Sequence, residues 1–211
     1  MTTIAYALLA LALVSAVIDW VAVVDDDRKL EYLCKPLTVF LMILAALAID
    51  PDSQTTRTWF VAALVFSLAG DVFLMIKERD LFVLGLAAFL LAHLAYVGGF
   101  LTDGVGALRL VLGVLLAGAA VALVGTRIVN AAHEKTPELA VPVIAYMGVI
   151  SAMLVFAVGS GNGAALLGAL LFYASDALIG WTRFIQPFKW APLAIMVTYH
   201  LAQAALVWSL A

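Results

Sequence analysis

The chain has little charge and almost no cysteine, and both shortages limit the class of protein it can be. Of its 211 residues, 12% are charged and 66% are hydrophobic. Soluble domains carry about 25% charged residues, so this composition indicates a polytopic membrane protein. The lone Cys34 cannot form an intramolecular disulfide, and the sequence has no CxxC motif or Cys/His cluster that would predict structural zinc.

Patterns typical of several function classes are also missing. The net charge is -3 and the basic residues are not clustered, so no nucleic-acid partner is expected. No GxSxG, HExxH or glycine-rich phosphate loop indicates a serine hydrolase, a zinc protease or a nucleotide enzyme. We therefore expect neither a cofactor nor a metal. The first apolar run has no basic segment before it and no cleavage site after it, so we expect it to remain as a helix.

Apolar runs of membrane-spanning length follow one another along the chain. A membrane helix needs ~20 apolar residues, and the second run is expected to begin at Lys35 and Pro36, because proline suits the first helical turn. The predicted fold is all-α, a single transmembrane domain of eight helices over residues 1–211. The predicted helices are 3–24, 36–50, 58–76, 81–101, 105–126, 138–158, 162–182 and 189–210.

Basic residues fall mainly on one side of this predicted bundle. Only Arg57 and Arg109 lie beside even-numbered connections, whereas the odd-numbered connections hold Arg28, Lys29, Lys35, Lys77, Arg79, Arg127, Lys135, Arg183 and Lys189. Cytoplasmic loops carry an excess of Lys and Arg, so the odd connections are predicted to be cytoplasmic and both termini non-cytoplasmic. The expected location is the bacterial cytoplasmic membrane, with the tryptophans, Trp20 among them, in the interfacial aromatic belt.

Two aspartates interrupt apolar runs, Asp71 in the third predicted helix and Asp176 in the seventh. A charge in hydrocarbon is costly unless it is paired or neutralised, so each is a candidate functional residue. Counting from the nearest loop charges places them ~9 and ~10 Å inside the cytoplasmic boundary. Tyr173 and Ser67, on the same helix faces, are predicted hydroxyl neighbours of Asp176 and Asp71.

Other polar side chains are predicted at or near the depth of the aspartates. Asp19 and Tyr146 lie ~9 and ~12 Å from the same side, where Lys35 is expected to begin its helix. His93 and His200 lie deeper, at ~20 and ~16 Å, so we do not expect them to touch the same atoms as the aspartates. The site is therefore predicted to open toward the cytoplasmic leaflet.

The two halves of the chain, 1–104 and 105–211, have a similar order of polar residues. Each half holds four helices, with an aspartate on the third and a histidine on the fourth. Four is an even number, so the pattern predicts a parallel internal repeat. The matched positions are Pro36 and Pro142, Asp71 and Asp176, and His93 and His200.

The two aspartates together favour acid/base chemistry. Two carboxylates in a low-dielectric layer do not ionise alike, so one can act as a general acid while the other stays ionised beside a cation such as Lys35. Reactions through an oxocarbenium-like state use this division, as two-carboxylate glycosidases do. The residues therefore predict a hydrolase.

A wider pattern covers nearly the whole chain in six stretches, namely KPLTVFLMILAAL (35–47), FSLAGDVFLM (66–75), GLAAFLLAHLAYVGGF (85–100), VPVIAYMGVISAM (141–153), GALLFYASDALIG (168–180) and TYHLAQ (198–203). In this order and spacing they resemble the YhhN family of eight-helix membrane proteins, the lysoplasmalogenases. The resemblance implies hydrolysis of the sn-1 vinyl ether of lysoplasmalogens to a fatty aldehyde and glycerophosphoethanolamine or glycerophosphocholine. The implied partners are a lysophospholipid substrate and membrane lipids.

Within this resemblance, Asp71 matches the family's G-D and Asp176 its S-D, which implies that both are catalytic. One aspartate would protonate the vinylic carbon distal to oxygen and the other would activate water; the residues leave open which is which. Lys35, with Arg183 or Lys189, is expected to hold the phosphate. At His200 the family is expected to carry an aromatic more often. The predicted substrate-binding residues are Asp19, Lys35, His93, Tyr146, Tyr173, Tyr199, His200 and Gln203.

Two other functions fit parts of the pattern. Intramembrane acids and histidines also serve proton-coupled transporters of small molecules or lipids, which have broken helices at corresponding places. Only Pro142 and Pro192 hint at such breaks. A zinc-dependent amidase would need three histidines and an acid around one metal, whereas His133 falls in a predicted cytoplasmic loop.

Overall fold

Eight long helices make up the structure, a computed structural model that describes residues 2–76 and 81–211. They are α1 (Thr3–Asp25), α2 (Arg28–Ala48), α3 (Gln54–Met75), α4 (Phe82–Thr102), α5 (Ala107–Lys135), α6 (Pro137–Ser160), α7 (Gly163–Ile185) and α8 (Ala191–Trp208). Each is long and apolar enough to cross a membrane, which confirms the predicted all-α eight-helix membrane protein. Lys77 and Arg79, two of the residues behind the predicted orientation, lie outside the described residues, and the orientation stays a prediction.

Helix α2 begins earlier than the sequence predicted. Asp27 caps it, and the Asp27 carboxylate accepts hydrogen bonds from the backbone N–H groups of Lys29 and Leu30. The helix then runs through Pro36, although an interior proline removes one backbone hydrogen bond. Lys35 therefore lies two turns inside α2, and the prediction that it starts the helix is wrong.

Helices α5 and α7 each contain one π-helical turn. The turn in α5 covers Val121–Gly125 and the turn in α7 covers Trp181–Ile185. Helix α5 continues to Lys135, so His133, which was expected in a loop, lies in its last turn. Both π-helical turns border the cavity described below, and such turns inside α-helices are frequent at functional sites.

Seven helices follow one another around the bundle, and α5 packs outside them. Helix α1 packs on α2, α2 on α3, α3 on α4, α4 on α6 and α6 on α7, while α8 contacts both α7 and α1. Helix α5 packs mainly on α6 and buries the smallest share of the eight spans. Helices α3 and α4 approach closely at Gly70, where a Cβ would stand 2.6 Å from the Phe89 ring. This contact holds the next residue, Asp71, inside the bundle.

The predicted repeat implies which pairs of helices should pack together. If the halves are equivalent, the pair α1–α2 corresponds to α5–α6 and the pair α3–α4 corresponds to α7–α8. All four pairs are in contact. Helices that follow one another in sequence commonly pack together whether or not a chain is repeated, so the repeat stays a prediction.

Candidate active site

Asp71 lies in a fully enclosed polar cluster built from three helices. It is 1% exposed, on α3, with Lys35 of α2 and Tyr199 of α8 against it. The Lys35 Nζ is 3.3 Å from Asp71 Oδ1, and the Tyr199 hydroxyl donates a hydrogen bond of 2.6 Å to Asp71 Oδ2. A buried ion pair needs such extra hydrogen bonds to offset the desolvation of its charges. These contacts fix the position of the Asp71 carboxylate.

Asp176 of α7 has different neighbours. The Tyr146 hydroxyl of α6 donates a short hydrogen bond to Asp176 Oδ2, and His93 Nε2 of α4 lies 3.6 Å from the same oxygen. Residue counting predicted a greater depth for His93 than for Asp176, whereas in the structure the two side chains are neighbours. Residue counting assumes upright helices that begin at one level, and contacts between neighbouring helices depend on tilt and offset as well.

Aromatic rings connect the two aspartates. The His93 ring centroid is 5.4 Å from that of Tyr146 and 4.6 Å from that of Phe172. The Phe172 ring in turn lies 5.5 Å from the Tyr199 ring. These edge-on packings are favourable for aromatic pairs. The neighbours of Asp176 are thus in contact with the neighbours of Asp71.

A cavity of ≈ 670 Å³, counting the space at its open mouth, lies between α3, α4, α5, α6 and α7. Apolar side chains form most of its wall, and Asp176, Tyr146 and Tyr173 are polar groups in it. Asp71 is not part of this wall. Like small-molecule sites, the cavity has a mainly apolar wall with a few placed polar groups. Asp176 therefore faces an apolar space.

One end of the cavity is formed by the start of α4 and the end of α7. Phe82 and Phe184 line it, with ring centroids 6.0 Å apart. The Arg183 guanidinium lies over the Phe82 ring, 4.9 Å from its centroid. A cation is therefore held beside this end of the cavity, on the side where the basic loop residues lie.

Comparison with known proteins places this arrangement in a family. The sequence pattern of the YhhN family matches residues 30–210. The chain belongs to the YhhN family. The resemblance of the six stretches is thereby confirmed, because the match covers all of them.

Several relatives of this YhhN chain have been named as lysoplasmalogenases. Human lysoplasmalogenase TMEM86B is 39% identical over a match that covers 67% of this chain and 58% of the human protein. The mouse lysoplasmalogenase TMEM86B is 34% identical, with 90% of this chain and 79% of the mouse protein covered. The lysoplasmalogenase of Mycobacterium bovis is 34% identical, with 77% and 64% covered. The chain thus spans less than two thirds of the human and mycobacterial relatives. No solved structure matches the chain significantly.

Two of the predicted binding residues of this YhhN chain lie away from the carboxylates. His200 Nδ1 accepts a hydrogen bond of 3.1 Å from Trp20 Nε1, and the two rings stack. Trp20 therefore contacts the interior of the bundle, which corrects its assignment to the interfacial belt alone. Gln203 Oε1 accepts a hydrogen bond of 2.5 Å from the Tyr96 hydroxyl, which links α8 to α4.

Tyr173 and Ser67 do not form the hydrogen bonds with the aspartates that their spacing predicted, and Asp19 lies inside the bundle. Asp19 is fully buried on α1, and neither of its carboxylate oxygens has a hydrogen-bond partner among the described residues. The Tyr173 hydroxyl donates to Met147 Sδ at 3.3 Å, not to Asp176. Ser67 Oγ has no partner in the described part of the chain either. The hydroxyl neighbours of the aspartates come instead from other helices.

The three predicted phosphate ligands of the YhhN chain have different surroundings. Lys35 is 5% exposed and paired with Asp71, so it does not reach a headgroup at the membrane surface. Lys189 lies over its neighbour Trp190, with Nζ 5.2 Å from the ring centroid. Of the three cations, Arg183 is the one beside the cavity.

Two phenylalanines that lie between the two aspartates were not predicted from the sequence. Phe89 lines the cavity and its ring lies 5.7 Å from the Tyr199 ring, while Phe172 contacts His93. Phenylalanine is common throughout apolar helices, so no sequence signal distinguished these two. Within residues 2–76 and 81–211, no three His, Cys, Asp or Glu side chains form a group that could hold a metal ion.

Proposed function

We propose that this chain is a lysoplasmalogenase, a membrane hydrolase that cleaves the sn-1 vinyl ether of lysoplasmalogens. The products are a fatty aldehyde and glycerophosphoethanolamine or glycerophosphocholine. The observation that carries the proposal is the position of Asp176, a carboxylate in the wall of an apolar cavity, with the Asp71–Lys35 pair behind it. The curated names of the relatives support the same activity.

Asp176 is the proton donor. Its oxygen faces an apolar space, where an isolated charge is costly, and its hydrogen bond from Tyr146 is not an ion pair. Asp71 is the ionised partner because the Lys35 ammonium stands 3.3 Å away. The two aspartates therefore take unlike roles although both interrupt apolar helices.

The reaction consumes one water. Asp176 donates its proton to the vinylic carbon distal to oxygen, and the electron pair of the double bond forms the new C–H bond. The oxocarbenium ion that remains is stabilised by the negative charge of Asp71. The Asp176 carboxylate then takes a proton from water as the water oxygen bonds to the cationic carbon. The hemiacetal collapses as its hydroxyl proton passes to the glycerol oxygen, the C–O bond to glycerol breaks, and the aldehyde is released.

The substrate lies with its chain in the cavity and its phosphate toward Arg183. The hydrocarbon chain contacts the apolar wall, and Tyr146 and Tyr173 flank the vinyl ether. Arg183 is the suitable phosphate ligand because a guanidinium forms bidentate hydrogen bonds to phosphate. With the predicted orientation, this end of the cavity faces the cytoplasmic leaflet.

The proposal is tested with purified protein and two lipids of equal chain length, a lysoplasmalogen and an ester lysophospholipid. We expect fatty aldehyde from the first and no free fatty acid from the second, because an ester does not react by protonation at carbon. The absence of aldehyde would refute the function, and vesicle uptake of either lipid without cleavage would point to a transporter. Release of both products at similar rates would indicate a general lysolipid hydrolase.

A further inference from the structure

A second groove runs along the outside of the bundle between α5 and α6. It is more open than the inner cavity and has a volume of ≈ 740 Å³ with the space at its surface. Its walls come from the π-helical turn of α5 and the residues that follow it, and from the middle of α6. The lining includes Val121, Thr126, Asn130, Ile144, Gly148 and Ser151.

The groove and the inner cavity share part of their walls. Gly125 and Met147 line both, so these two residues form the partition between them. The partition is thin because Gly125 has no side chain: a Cβ there would stand 3.2 Å from Met147 Sδ. Methionine is unbranched and has three rotatable bonds, so its side chain adapts to space beside it. The Met147 side chain is therefore the movable part of this partition.

The groove also lies on the face of the bundle that lipid reaches. Helix α5 packs outside the other helices, and Thr126, Ile144 and Gly148 are exposed. The apolar groove ends near Asn130, on the side of the basic residue Arg127 that follows the π-helical turn. The mainly apolar wall suits a hydrocarbon chain, and its polar groups are Thr126, Asn130 and Ser151.

We propose that this groove between α5 and α6 is the lateral entrance through which the hydrocarbon chain of the substrate passes from the membrane into the cavity. The inference rests on the proposed function. The occupant is one hydrocarbon chain, and Met147 is the side chain that moves aside. The π-helical turn gives α5 the shape that leaves Gly125 opposite Met147, so the turn belongs to the entrance.

The entrance is tested by blocking it reversibly at Gly148, where a Cβ would meet nothing within 4 Å. The Gly148→Cys protein is treated with a hexyl methanethiosulfonate, which places an alkyl chain in the groove through a disulfide. Gly118→Cys on the lipid face of α5 is the matched control, since a Cβ there also meets nothing within 4 Å. The native Cys34 is buried. Treatment of the unsubstituted protein with the same reagent shows whether Cys34 reacts.

Aldehyde release is measured with a long-chain lysoplasmalogen in vesicles and with a short-chain, water-soluble analogue, which does not have to enter from the membrane. For labelled Gly148→Cys we expect a loss of about tenfold or more on the vesicle substrate, little change on the soluble one, and recovery after reduction. An unchanged vesicle rate, or equal loss on both substrates, would overturn the entrance alone. No aldehyde from the unsubstituted protein would overturn the proposed function, and the entrance with it.

Discussion

Asp71 and Asp176 are the same residue type in similar apolar helices, and their neighbours make them different. Asp71 is enclosed by Lys35 and Tyr199, a cation and a hydrogen-bond donor. Asp176 has a phenol and an imidazole beside it and faces the cavity. A carboxylate without a cation is costly to ionise in an apolar space, so we expect the proton donor to be Asp176, which faces the cavity.

Replacement of Asp176 should remove the chemistry and leave the fold. Asp176→Asn keeps the shape and can still accept from Tyr146, but it has no acidic proton. We expect kcat to fall by about 10²–10⁴, the usual contribution of general acid catalysis. Melting of the detergent-solubilised protein should be unchanged. A rate within a few-fold of the original protein would show that another group donates the proton.

Replacement of Asp71 should instead affect both rate and stability. Asp71→Asn leaves the Lys35 ammonium buried beside an amide, and breaking a buried ion pair in this way costs about 3–5 kcal/mol. We therefore expect a lower melting temperature together with slower aldehyde release. In the double variant Asp71→Asn/Lys35→Met the melting temperature should rise again while the activity stays low. Recovery of activity in the double variant would contradict the role of Asp71 as a fixed charge.

At the scale of the helices, the close approach of α3 and α4 sets the position of Asp71. A methyl group at Gly70 would collide with the Phe89 ring, which lies 2.6 Å from the Cβ position. We expect Gly70→Ala to destabilise the protein by about 1–3 kcal/mol, the typical cost of overpacking. The matched control is Gly118→Ala on α5, where the added methyl meets nothing within 4 Å. Thermal unfolding of both variants in detergent measures the difference, and equal stability would argue against this packing.

The sequence was sufficient for the number of helices because each apolar run is long and is bounded by charges or by proline and glycine. It was insufficient for the start of α2, where Pro36 looked like a first-turn residue although Asp27 caps the helix earlier. Spacing also predicted Tyr173 as the hydrogen-bond partner of Asp176, whereas the hydroxyl that donates to Asp176 belongs to Tyr146 on another helix. Contacts between helices depend on their rotation and offset, which spacing within one helix does not determine.

At the scale of the whole molecule, the distribution of basic residues predicts which side of the membrane each loop faces. Asp52, between α2 and α3, and His133, near the end of α5, are both exposed. We expect Asp52→Cys to react with a membrane-impermeant maleimide added to intact cells, because the even connections are predicted to face outward. His133→Cys should react only after permeabilisation. The reverse pattern would place the open end of the cavity at the outer leaflet.

Deuterium incorporation shows whether a carboxylic acid protonates the vinylic carbon of the substrate. The reaction is run in D₂O, and the aldehyde is trapped at once as a hydrazone so that no later exchange occurs. We expect one deuterium on the carbon next to the carbonyl in every aldehyde that the original protein releases, and release from Asp176→Asn that is slower by about 10²–10⁴. Aldehyde without deuterium at that carbon would contradict the account, because the bond would then have been cleaved without protonation at carbon.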